Sequence, residues 1–205
     1  MDLTVAAVAF GTIFLVELPD KTFIAALVLS TRFRALAVWV GVGLAFGLQC
    51  LVAVTAGALA TLLPDVLIRS ISLLIFLIGA FLLLRTAPGA DEHEKETEEE
   101  YAAKAGENGT RKSFVKAAGA SFVILFAAEW GDLSQLLTIS LVTRYDDSVS
   151  VFLGAWAALL TVSGLAVLAG RVLLLRYLRL SVLHYIGATV CLLLAAFTAY
   201  EIFAA

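Results

Sequence analysis

Two short stretches place acids where the chain is otherwise apolar. ELPDKT at residues 17–22 carries Glu17, Asp20, Lys21 and Thr22; EWGDLSQ at residues 129–135 carries Glu129, Asp132, Ser134 and Gln135. Together they offer four carboxylates, two hydroxyls and an amide, all hard oxygen donors. Neither stretch contains His, Cys or Met. Such a shell suits Mn²⁺, Ca²⁺ or Mg²⁺ and does not favour Zn²⁺ or Cu⁺. An ionised acid at the centre of a bilayer costs about 3 kcal/mol on insertion scales, so four cost roughly 10 kcal/mol, comparable with the whole stability of a domain. Lys21 offsets one charge. A divalent cation, or protons taken up by the carboxyls, would offset the rest. A site that swaps metal for protons is an exchanger.

The elements that must position these groups are membrane helices. Of 205 residues, 61% are hydrophobic and only 15% charged, too apolar for a soluble domain of this size. The densest run of charge, 14 of the 31 charged residues, falls between residues 85 and 116. About 20 apolar residues span the hydrocarbon layer, and six stretches qualify, at residues 3–30, 35–60, 66–84, 114–142, 149–173 and 180–203. No stretch alternates with period two, so strands are not expected. The predicted fold is therefore all-α and polytopic with six transmembrane helices. No basic leader region or small-residue cleavage site precedes the first. Eleven Lys and Arg residues fall on the side holding the first, third and fifth loops, against Arg69 and Arg144 on the other. This bias places both termini outside and the acidic central loop in the cytoplasm.

The chain is also written twice. Shifted by 112 residues, Glu17 falls on Glu129, Asp20 on Asp132, Thr22 on Ser134 and Thr31 on Thr143. A further residue of offset brings Gly41 onto Gly154. Three spans followed by three related spans must enter the membrane from opposite sides, as in secondary transporters with inverted repeats. The expected organisation is a first repeat at 1–86, an acidic linker loop at 87–112 and a second repeat at 113–205. Pro19 and Gly131 each follow a Glu and are expected to break the helix there. Glu and Asp at i and i+3 would share one helix face.

These residues resemble a known family, the second calcium:cation antiporters, also called uncharacterised protein family 0016, within the lysine-exporter superfamily. Its mark is a twice-occurring Glu-x-Gly-Asp-(Lys/Arg)-(Ser/Thr) on the first and fourth helices. The resemblance covers the whole chain. This sequence has Pro19 where the family has Gly, and Leu133 where it has Lys or Arg. The resemblance implies an exchanger of Mn²⁺ or Ca²⁺ for protons, in which Glu17, Asp20, Glu129 and Asp132 bind the cation. Thr22, Ser134 and Gln135 complete the shell, and Lys21 tunes its charge.

The remaining polar residues have plainer readings. Cys50 and Cys191 read as small buried hydrophobes. Arg32 and Arg144 read as interface anchors. Gln49, Thr55 and Ser163 read as interhelical hydrogen-bonding groups, and Gly41, Gly43, Gly47, Gly154 and Gly164 as close-packing positions. His184 reads as structural. The glutamate-rich loop, with His93, reads as a mobile, solvated linker. No cofactor and no nucleic acid is expected. The expected partners are the transported cation, protons and the lipid bilayer, and assembly of several copies stays open. The expected site is a prokaryotic cell membrane. The alternatives are an exporter of amino acids or other small organic solutes, a passive channel, and an intramembrane aspartyl protease using Asp20 and Asp132.

Overall fold

The computed structural model describes residues 1–18, 21–62, 64–105, 113–172 and 180–203. Among them are nine α-helices and no strand. They are α1 (Leu3–Glu17), α2 (Lys21–Arg32), α3 (Ala35–Ala60), α4 (Asp65–Thr86), α5 (Ala90–Ala105), α6 (Phe114–Ala128), α7 (Leu133–Tyr145), α8 (Ser148–Val172) and α9 (Leu180–Phe203). A 3₁₀ turn, Ala87–Gly89, joins α4 to α5.

Three helices are long and apolar enough to cross a membrane, through Ala35–Ala60, Arg69–Thr86 and Ser148–Leu168. At about 1.5 Å per residue, the 26 residues of α3 reach roughly 39 Å. The breaks expected in the first and fourth spans are present and sharp. Each span is two shorter helices meeting at an elbow, 71° between α1 and α2 and 73° between α6 and α7. Counting each bent pair as one span gives five, and His184–Tyr200 of α9 adds a shorter apolar helix.

The long helices form the centre. α3 packs against α6, α7 and α8; α8 packs against α1, α2 and α3; α4 packs against α9. Fully buried Ile13, Phe46, Leu125 and Leu137 belong to the main core. Close approach replaces bulk at two points. A Cβ on Gly41 would collide with the Ala118 carbonyl oxygen, and one on Gly154 with the Ala6 carbonyl oxygen. Two indoles pin α3 to α8: Trp39 Nε1 donates to Leu160 O at 3.0 Å, and Trp156 Nε1 donates to Gly43 O at 2.9 Å. Outward-facing Leu74, Leu77 and Phe81 on α4 and Leu193 and Phe197 on α9 are exposed, as lipid-facing residues would be.

Two expectations change here. Residues 90–105 are the helix α5, not a mobile linker, and α5 docks on α2 with Tyr101 buried in the core. Among its described side chains the buried ring of Tyr101, with partly buried Ala102, supplies the apolar area that the surrounding glutamates lack. His93 lies outside the described side chains. Arg144 does not simply reach for the interface. Its Nη1 donates to Thr198 Oγ1 at 2.7 Å and its guanidinium lies 4.2 Å from the Phe197 ring centroid, tying α7 to α9. Cys50 and Cys191 are free and buried.

Candidate cation site at two helix elbows

The second elbow is built by three residues in sequence. Glu129 ends α6 as its C-cap, and its amide donates to Leu125 O at 3.0 Å. Gly131 follows with φ +77°, a backbone region that glycine enters without steric cost. Asp132 then starts α7 as its N-cap, accepting from the Gln135 amide at 3.0 Å. A carboxylate at a helix N-terminus is favourable because it meets amides that have no intrahelical partner. Ser134 Oγ donates to both Asp132 carboxylate oxygens, each at 3.2 Å.

This geometry corrects the expected helix face. Glu129 and Asp132 do not lie one turn apart on a continuous helix. They flank the break, one at the end of α6 and the other at the start of α7. Gln135 braces it: its Oε1 accepts from the Gly131 amide at 2.8 Å, and its Nε2 lies 3.5 Å from Gln49 O on α3. Gln49 Nε2 donates to Phe126 O at 3.2 Å. Gln49 therefore touches both arms of the elbow. The sequence reading foresaw an interhelical bond for Gln49 but not this location, and its signal was one amide in an apolar helix.

The first elbow repeats the placement of the glutamate. Glu17 is the last residue of α1 and is 1% exposed, as is Glu129. Thr22, in the first turn of α2, is fully buried, and its Oγ1 finds no hydrogen-bond partner among the described residues. Pro19, Asp20 and the Lys21 side chain lie outside the described residues. α3 packs on α2 of the first pair and on α6 and α7 of the second, and buried Cys50 lies on it next to Gln49. Among the described residues, no three Asp, Glu, His or Cys side chains converge tightly enough to hold a metal.

Bent apolar helix pairs, with buried acids at their elbows and long helices between them, define a polytopic membrane protein of the transporter kind. The chain matches the family described as divalent cation/proton antiporter GDT1 over residues 5–91 and 117–205, and it belongs to that family. It is 32% identical over 212 residues to Protein PAM71, chloroplastic, of Arabidopsis thaliana, covering 96% of this chain and 56% of that protein. It is 34% identical over 167 residues to GDT1-like protein sll0615 of Synechocystis sp., covering 76% of this chain and 80% of that protein. It is 29% identical to GDT1-like protein 1, chloroplastic, of Oryza sativa subsp. indica, covering 96% of this chain and 62% of that protein. The chain thus spans little more than half the length of the first of these relatives. No solved structure matches it. The family is described as one of transporters, not enzymes, so the protease alternative falls away, and in the family divalent cations are cargo and not a cofactor.

Proposed function

We propose that this chain exchanges a divalent cation, Mn²⁺ or Ca²⁺, for protons and exports the cation from the cytoplasm. Glu17, Asp20, Glu129 and Asp132 take the cation and protons by turns. Thr22, Ser134 and Gln135 add neutral oxygens, and Lys21 moderates the negative charge. Gly131 breaks the second helix pair, which opens backbone as well as side chains to the cargo, and by sequence Pro19 takes the same role in the first. The observation that carries this reading is the pair of glutamates, 112 residues apart, each 1% exposed and each ending the first arm of a helix pair bent by just over 70°.

The same reading takes the chain as two inverted three-span repeats, 1–86 and 113–205, joined through 87–112, with six crossings in all. The paired contacts support it. Gly41 on Ala118 and Gly154 on Ala6 are the same contact made by opposite halves. So are α3 on α7 and α8 on α2. Rocking of one half against the other would then alternate access to a fixed site. The chain resides in a prokaryotic cell membrane with its termini outside and α5 in the cytoplasm. The test is purified protein in liposomes holding a pH-sensitive dye, given Mn²⁺, Ca²⁺ and Mg²⁺ in turn. Proton movement driven by Mn²⁺ or Ca²⁺ supports the proposal. Cation entry with no proton movement would make it a channel.

A further inference from the structure

A groove of about 490 Å³ follows the crossing of α3 and α8. Its walls include Ala35, Leu36 and Trp39 from α3 and Leu160, Gly164 and Leu168 from α8. The volume falls within the roughly 300–1,000 Å³ range of small-ligand sites. From Leu160 to Leu168 the trough follows α8 for about 12 Å. Gly164 lets the Trp39 indole lie directly against α8, where a Cβ would come within 3.2 Å of Trp39 Nε1, and the two form one wall of the trough.

The lining asks for hydrocarbon. The indole N–H of Trp39 is committed to Leu160 O at 3.0 Å. The Thr161 hydroxyl, also in the lining, is committed to Ala157 O of its own helix at 2.7 Å. Neither has a proton left to donate to a polar ligand. Charge lies at one end. Arg34, the residue before Ala35, and nearby Arg32 are both exposed, and Arg34 forms no side-chain cap bond as the N-cap of α3. A guanidinium pairs two of its N–H groups with phosphate oxygens.

We propose that this groove binds one anionic phospholipid, with an acyl chain laid along the wall formed by Leu36, Trp39, Leu160 and Leu168 and the phosphodiester held by Arg34 and Arg32. This rests on the membrane-embedded reading and not on the identity of the cargo. The occupant touches α3 and α8 at once, so it stabilises the crossing that the two indoles pin.

The test needs no transport measurement. Protein purified in detergent is offered equal amounts of phosphatidylglycerol and phosphatidylcholine with identical chains, then followed by native mass spectrometry and thermal unfolding. One phosphatidylglycerol should be retained with a preference of about tenfold, raising the unfolding temperature. Gly164→Leu, whose side chain takes the place of the Trp39 indole and pushes that ring into the trough, should lose both lipids. Thr161→Phe, which fills it from the exposed edge of α8, should do the same and guards against misfolding of the first variant. Arg34→Gln should keep a lipid but lose the headgroup preference. Inorganic phosphate alone should not stabilise the protein. Undiminished lipid retention in both groove-filling variants would overturn the proposal, as would equal retention of the two lipids by the unaltered chain or full stabilisation by phosphate. A dimer that both variants break would instead assign the groove to a second copy.

Discussion

The Gly131 amide donates to Gln135 Oε1 across 2.8 Å, so a side chain one turn into α7 holds the elbow that separates Glu129 from Asp132. Gly131→Ala forces a Cβ into φ +77° and should cost about 1–3 kcal/mol. Gln135→Leu keeps the volume but loses the brace, and should cost about 1 kcal/mol. Chemical denaturation in detergent measures both. Cation-driven flux should fall in both variants by more than stability alone explains, because the spacing of the two acids changes.

Gly41→Leu and Gly154→Leu should each destabilise the protein by about 1–3 kcal/mol or more, since each drives a side chain into a carbonyl of a neighbouring helix. Equal halves should suffer comparable losses. Thermal unfolding of the two variants side by side checks this, and a loss confined to one would contradict a shared packing plan.

The loop before α8 should be sensitive to acid. Asp147 accepts from the Ser150 hydroxyl and from the Ser150 amide at 3.0 Å, and its Oδ2 lies 3.1 Å from the Asp2 amide. The Ser150 hydroxyl bond, followed by the amide bonds, holds its carboxyl below the usual value of 3.8. A depressed native value means the attachment is fully present above 3.8 and is lost as pH falls through the lower native value. Amide exchange at Asp2 and Ser150 should therefore accelerate only at strongly acid pH. Asp147→Asn should give fast exchange already at neutral pH.

Tyr101→Ala should release α5 from α2 without unfolding the long helices. Limited proteolysis should then cut within residues 90–105 while the remaining fragments stay associated. Tyr101→Phe keeps the ring and should resist cleavage like the unaltered chain. Equal resistance in all three would mean that Tyr101 does not anchor the helix.

Much of the site was legible because its cost was visible. Acids in apolar runs signal themselves, and repetition at 112 residues linked Glu17 to Glu129 before any coordinates. The elbow was less legible. Gly131 marked a disturbance, but reading Glu129 and Asp132 as neighbours on one face assumed that the helix continued through it. The positive φ at Gly131 turns i and i+3 into the end of one helix and the start of the next. Gln49 was harder still, because its partners Phe126 and Gln135 lie 77 and 86 residues away. α5 was misjudged because composition averages over a segment, while among its described side chains Tyr101 and Ala102 pack against the core.

The central claim is that the buried elbow glutamates carry the exchanged charge. Its most direct measurement is the proton flux driven by Mn²⁺ and by Ca²⁺ in liposomes bearing the unaltered chain, Glu17→Gln or Glu129→Gln. Each substitution removes a carboxylate that takes cation and proton in turn, so each variant should lose flux by about 100-fold, equivalent to roughly 3 kcal/mol, while remaining folded. Folded variants that both exchange at the rate of the unaltered chain would contradict the account.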